Sequence, residues 1–255
     1  MRVISLTNEK GGVGKTTCTL NLGAALVRLD KKCLLMDLDQ QMALTYSFGI
    51  PPDKIKTSIY EVLRGEAKLD DALWKQHNTN LFVVPASPKL AGFDVEMANE
   101  IGGQLLLKGI VSDLNTFDYI LFDCPPSLGM IVINALTAAR EVFVPMQAEF
   151  LSMQGMARLI EIVERVKKRL NSSLEITGII GTMFDRRRIL NREVIAKINE
   201  HFPGKLLGIV RDCISLAEAP SRCCDILTYR PSSLGARDFM TIAQRVVQEE
   251  RYYGA

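Results

Sequence analysis

The chain has 255 residues, 47% hydrophobic and 24% charged, which is enough for a sizeable core and excludes a low-complexity or disordered chain. Its net charge of +2 hides an asymmetry: residues 1–150 hold 14 Lys/Arg against 17 Asp/Glu and residues 151–255 hold 17 against 12, so any polyanion-binding face is expected in the second half. Six cysteines without a C-x-x-C pair and only two histidines exclude a structural zinc site, no apolar run reaches the roughly 20 residues of a membrane span, and without a secretory leader the thiols read as those of a cytosolic protein.

In chain order, "RVISLTN" reads as a short buried strand, the Gly-rich turn of "NEKGGVGKTT" follows, and "TTCTLNLGAALVRLD" has helical spacing of Leu and Ala. "KKCLLMDLD" is the next strand, with Asp37 and Asp39 at its end. The stretch 51–80, opening "PPDKIKT", is the least regular and is expected to lie outside the sheet. "LFVVPAS", "YILFDCPPS", "EVFVPMQ", "EITGIIGTMF" and "LLGIV" are near-continuous apolar runs, as in parallel strands buried on both faces. Between them, "MQGMARLIEIVERVKKRL" and "NREVIAKINEHF" are amphipathic, and "FMTIAQRVV" near the end reads as a docked helix. This βαβ succession predicts an α/β fold, a doubly wound and mostly parallel sheet flanked by helices, as one domain over 1–255 with no DNA-reading domain ahead of the first strand.

Ligands of such sheets bind beyond the carboxyl ends of the strands, and three of those ends carry chemistry. Gly11, Gly12 and Gly14 let the backbone N–H groups from Gly11 through Val13 to Thr16 turn inward, at the positive end of a helix and beside Lys15. Lys15 is expected on an exposed helix turn, and Thr16 offers a hydroxyl of the kind that ligates Mg²⁺. The loop departs from the usual pattern, because Glu9 stands where the first Gly belongs and Lys10 follows it. The bland reading is a glycine-rich turn without a ligand. Strand alternation places Asp37 and Asp39 on one side, where the jobs for two carboxylates beside a phosphate are holding Mg²⁺ and orienting water; the alternative is a pair of helix caps. Asp123 ends "YILFD" in a Walker B arrangement, where it reaches Mg²⁺ directly or through water.

Taken together, "KGGVGKTT", "DLDQQ", "YILFDCPPSLG", "NALTAAREVFVPMQAEF", "LEITGIIGTMFDRR" and "SLAEAPS" resemble the ParA/Soj/MinD family of partitioning ATPases with a deviant Walker A loop, and closest the small ParA/Soj type. The resemblance implies ATP and Mg²⁺ as cofactors, with Lys15 on the β- and γ-phosphates, Thr16 on Mg²⁺, Thr17 near the α-phosphate and Asp39 positioning the attacking water. It implies that Lys10 crosses an ATP-dependent homodimer to the partner's phosphates, and it assigns Asp185 of "TMFDRR" to the nucleotide site. A ParB-like activator, non-specific DNA and a cytoplasmic, nucleoid-associated location follow from the same resemblance. The alternative is a MinD-like switch controlling a protein partner without DNA. The "RYYGA" ending lacks the basic amphipathic helix of membrane-bound relatives, so no membrane anchor is expected.

Two residues depart from the family pattern. Gln40 replaces a Pro, and Ser215 of "ISLAEAPS" replaces an arginine implicated in DNA contact. Arg186, Arg187, Arg188, Arg211 and Arg222 are the candidate substitutes, against the alternative that "DRRR" is a solvated loop.

Overall fold

In a computed structural model, residues 1–148 and 152–253 are described. The end of "EVFVPMQAEF" at Glu149 and Phe150, and the terminal Gly254 and Ala255, lie outside them. The strands are β1 (Arg2–Leu6), β2 (Cys33–Asp37), β3 (Trp74–Lys75), β4 (Leu81–Val84), β5 (Tyr119–Asp123), β6 (Glu141–Gln147), β7 (Glu175–Phe184) and β8 (Leu206–Arg211). They form one sheet in the order β3-β4-β2-β5-β1-β6-β7-β8, parallel throughout except for β3. β1 lies inside the sheet with β5 and β6 as neighbours, so the chain winds outward on both sides of its first strand, as the βαβ pattern predicts.

Alternation along the strands divides the core between the two faces of the sheet. Leu34, Met36, Ile120 and Phe122 face one layer; Leu35, Tyr119, Leu121, Ile4 and Leu6 face the other. The first layer holds α3 (Ile59–Leu63), α4 (Phe93–Met97), α5 (Leu106–Ser112), α6 (Met130–Ala138), α7 (Ser152–Arg169) and α8 (Ile189–His201), all contributing buried residues. The second is built on α1 (Lys15–Val27), α2 (Ala43–Ser47), α10 (Ile226–Tyr229) and α11 (Leu234–Tyr253). α9 (Ile214–Glu218) lies between β8 and α10. In α11 the residues Ala236, Phe239, Ile242, Ala243 and Val246 are buried at helical spacing, which is the docked helix expected from "FMTIAQRVV".

Two boundaries differ from the sequence reading. The 51–80 stretch is not wholly outside the sheet, since Trp74 and Lys75 pair antiparallel with Val83 and Phe82 and add an edge strand. β2 stops at Asp37, so Asp39 is a turn residue and not the strand-alternation partner of Asp37. The peptide after Asp37 still bonds to β5, with Leu38 N–H donating to the Asp123 carbonyl at 3.0 Å, and there the chain leaves the sheet.

Candidate nucleotide site

The loop between β1 and α1 turns on two glycines with left-handed backbone, Gly12 at φ 73° and Gly14 at φ 88°. Side chains at either position would be strained, so the sequence spends glycine where the turn demands it. Gly14 caps α1 without any side-chain hydrogen bond, which leaves first-turn N–H groups without a side-chain partner and ready for an anion. Neither Gly11 nor Gly12 has anything within 4 Å of where a Cβ would stand, so the loop is open on that side.

Lys15 is buried rather than on an exposed turn. Its ammonium folds back into the loop and donates to the carbonyls of Asn8, 3.0 Å, and Lys10, 3.2 Å. Burial pushes its pKa down, opposed by the nearby Asp123 carboxylate. Three side chains brace the loop: Thr182 Oγ1 donates to the Val13 carbonyl at 2.8 Å, Gln147 Nε2 to the Gly12 carbonyl at 3.3 Å, and Asn8, which opens the loop, donates from Nδ2 to the Pro145 carbonyl at 2.8 Å. Lys10 Nζ donates to Gln147 Oε1 at 2.8 Å, so within one chain it points along the end of β6.

The carboxylates separate into distinct environments. Sheet register sets Asp37 directly beside Asp123. Both oxygens of Asp37 are engaged: Oδ1 accepts from the Asp39 amide at 3.1 Å, and Oδ2 from the Thr45 amide at 2.9 Å and hydroxyl at 2.7 Å. Asp37 therefore ties the turn carrying Asp39 to the start of α2. Asp123 accepts from Thr19 Oγ1 at 3.2 Å on one oxygen, while its other oxygen is buried with no partner among the described residues. Burial and the adjacent carboxyl raise the pKa of Asp123, against the pull of the Thr16 and Thr19 hydroxyls; burial likewise raises that of Asp37, against its bonds to Thr45. An orphaned buried carboxylate oxygen beside a threonine hydroxyl fits a hard, oxygen-seeking divalent cation such as Mg²⁺. Asp39 is partly exposed, and its Oδ1 accepts from the Gln41 amide at 2.9 Å.

Thiol chemistry has no place here. Cys18 is buried with its thiol pushed up by desolvation, and Cys124, 3.2 Å from Ser5 Oγ, is pushed up to about 11. Beside the loop lies a mainly apolar cavity of about 170 Å³, lined by Gly14, Thr17, Thr182, Met183, Asp212 and Phe239 among others. Its walls come from α1, β7, the segment after β8, and α11, which are far apart in sequence, so no local pattern could have disclosed it.

Of the other expected residues, Arg211 lines the same cavity, whereas Asp185, Arg186, Arg187, Arg188 and Arg222 do not. Asp185 holds Arg187 in a two-pronged pair, 3.0 and 2.9 Å, with Arg188 at 3.8 Å; the Arg187 bonds keep the Asp185 carboxyl down, to about 2. Arg211 is part-buried and committed to Asp238, with Nε 2.9 Å from Oδ2. Arg186 and Arg222 are exposed and have no carboxylate partner among the described residues. Ser215 is buried, and the Arg230 guanidinium donates to its hydroxyl at 3.3 Å; Arg230 escaped the sequence reading because it lies 15 residues away.

The family profile described as AAA domain matches residues 1–176. The chromosome-partitioning ATPase Soj of Treponema pallidum is 38% identical over 251 residues, covering 98% of both chains. The chromosome partitioning protein ParA of Caulobacter vibrioides is 36% identical over 255 residues, covering 98% of this chain and 96% of its own. Cobyrinic acid a,c-diamide synthase of Mycobacterium smegmatis, solved with a bound ATP analogue and magnesium, superposes with a TM-score of 0.86 at 31% identity, covering 100% of this chain and 97% of its own. Among the described residues no helix is long and apolar enough to cross a membrane.

Proposed function

The chain belongs to the AAA-domain family that includes the Soj and ParA chromosome-partitioning ATPases, and from that premise we propose that it is a Mg²⁺-dependent ATPase of partition, dimeric with ATP, holding DNA without sequence preference and releasing it on hydrolysis. The observation that carries the reading is the coincidence, at adjacent strand ends, of an open glycine loop, an ammonium turned into that loop, and a buried carboxylate oxygen without a partner among the described residues. A loop with free N–H groups and a cation binds phosphate; the bare carboxylate supplies the place for the metal that accompanies it.

The residues then divide the work. The amides from Gly11 to Thr16 and the Lys15 ammonium take the β- and γ-phosphates, and the Lys15 contacts to the two carbonyls exchange for phosphate oxygens. Thr16 and Asp123 would hold Mg²⁺, which neutralises charge developing on the transferred phosphoryl group. Asp37 fixes the Asp39 turn through its own three hydrogen bonds, and Asp39 orients the water that attacks the γ-phosphorus. The apolar cavity beside Gly14 takes the base. Lys10 leaves Gln147 and reaches the phosphates of a second copy, so ATP acts as a dimerisation switch as well as a substrate. A ParB-like partner stimulates turnover.

DNA binding to two unrelated duplexes, measured with ATP, with ADP and without nucleotide, tests the proposal. Binding to both duplexes with ATP alone is expected. ATP-dependent dimerisation without affinity for either duplex would replace the partition reading with a switch acting on a protein partner. That reading gains weight from the pairing of Arg187, Arg188 and Arg211 with carboxylates.

A further inference from the structure

Glu9 is the residue that makes the phosphate loop unusual, and its environment in the fold gives it a partner. The Lys15 ammonium is held by the carbonyls of Asn8 and Lys10, the two residues on either side of Glu9, so the Glu9 backbone lies against the cation intended for phosphate. A carboxylate one side-chain length from that point is unfavourable for a ligand with several negative charges. Yet the Glu9 carboxylate accepts from Arg158 Nη1 at 2.5 Å, 149 residues further along the chain. Arg158 stands on α7 among the buried residues Met156, Leu159 and Val163, which fix the helix on the core and aim the guanidinium outward to the loop. The two side chains are 66% and 30% exposed, so their attraction adds little to folding stability. The field they present to a bound phosphate chain is a different matter, because the ligand feels the sum of both charges.

We propose that Arg158 is a positioning residue of the nucleotide site: its ion pair with Glu9 cancels, and holds aside, a negative charge that would otherwise oppose the phosphates of ATP. This rests on the reading of the loop as an ATP site. With the pair intact, the Glu9 charge is offset by the Arg158 guanidinium beside it. With Arg158 removed, Glu9 faces the loop uncompensated, and the penalty grows with each negative charge on the ligand.

The test is a set of affinities for ATP, ADP and AMP, with Mg²⁺ and at two ionic strengths, on the wild-type protein, Arg158→Ala, Glu9→Gln and the double variant. Arg158→Ala is expected to weaken ATP on the order of tenfold, ADP less and AMP least, with the loss shrinking at high salt. Glu9→Gln binds ATP at least as tightly as wild type, and adding Glu9→Gln to Arg158→Ala restores ATP affinity. A structural role for Arg158 would move all three nucleotides alike and would survive the Glu9 change. The proposal is overturned if Arg158→Ala binds ATP normally, or if the double variant stays as weak as Arg158→Ala. If the wild-type protein binds no ATP, the nucleotide site itself fails, a result distinct from either of these.

Discussion

Lys15 shows how one side chain prepares a site before any ligand arrives. Its ammonium is buried, yet both of its observed partners are neutral carbonyls, which satisfy its donors without neutralising its charge. Replacing those carbonyls by phosphate oxygens gains charge-assisted hydrogen bonds worth about 1.5–3 kcal/mol each. Lys15→Ala is therefore expected to lower ATP affinity by roughly 100-fold, measured by calorimetry, with only a small change in melting temperature because a desolvated charge is removed along with its bonds. ATP binding at wild-type strength would refute the phosphate-loop assignment. Asp39 and Lys10 should fail in opposite ways. Asp39→Ala leaves the loop, Lys15 and Asp123 in place, so ATP affinity stays and turnover falls by at least 100-fold, with a dimer that persists in ATP on size-exclusion chromatography. Lys10→Ala loses its bond to Gln147, leaves Lys15 and the glycine turn in place and so still binds ATP, but elutes as a monomer. Wild-type turnover in the first variant, or a dimer in the second, removes that residue from its role.

At the scale of elements, what was legible in the sequence follows from which interactions are local. Runs such as "YILFD" and "EVFVPMQ" became β5 and β6 with those bounds, because a strand buried on both faces is apolar through its interior and carries polar residues only at its ends. The glycine turn before α1 was equally legible, since left-handed backbone at Gly12 and Gly14 selects the residue type. β3 was missed because two residues show no periodicity, and only pairing with β4 makes them a strand. Asp39 was placed on β2 because apolar Leu38 continues the pattern, whereas the chain leaves the sheet at Asp37, whose carboxylate reaches forward to Thr45. The braces Gln147 and Thr182, and the cavity against α11, join elements distant in sequence and carry no local signal. α11 offers a test of this division between scaffold and site. Ile242 is 1% exposed and packs where a Cβ on Gly208 would come within 2.6 Å of it, so α11 sits hard against β8. Ile242→Ala should cost about 2–5 kcal/mol in urea unfolding, while Mg²⁺-ATP affinity at 25 °C stays within twofold, because no atom of Ile242 lines the cavity. A variant of unchanged stability would mean that α11 is not the packed layer described.

For the whole molecule, the charge asymmetry between the two halves is real in the sequence but is partly spent inside the fold. Arg187 and Arg188 lean on Asp185, and Arg211 is tied to Asp238, so counting basic residues overstates the positive field available to a polyanion. Arg186 and Arg222 remain as exposed cations without a carboxylate partner among the described residues, and the Arg230 guanidinium reaches the buried Ser215 hydroxyl. In the proposed ATP dimer the phosphate contacts of one chain would double, which is why the proposal expects DNA binding to depend on nucleotide. Each phosphate contact contributes about 0.9 to the slope of log affinity against log salt on duplex DNA. Replacing Arg186 and Arg222 together by Ala removes two contacts per chain and four per dimer, so the slope should become shallower by about 3–4, equally on two unrelated duplexes, with ATP hydrolysis in the absence of DNA unchanged. Arg211→Ala should behave differently, lowering the melting temperature by stranding Asp238 while changing the slope by less than 1, since a guanidinium already held by a carboxylate releases few counterions. A slope that is unaffected by the Arg186 and Arg222 changes but collapses with Arg211→Ala would move the DNA-facing surface from the exposed loops to the rim of the nucleotide cavity, where Arg211 lies beside Asp212.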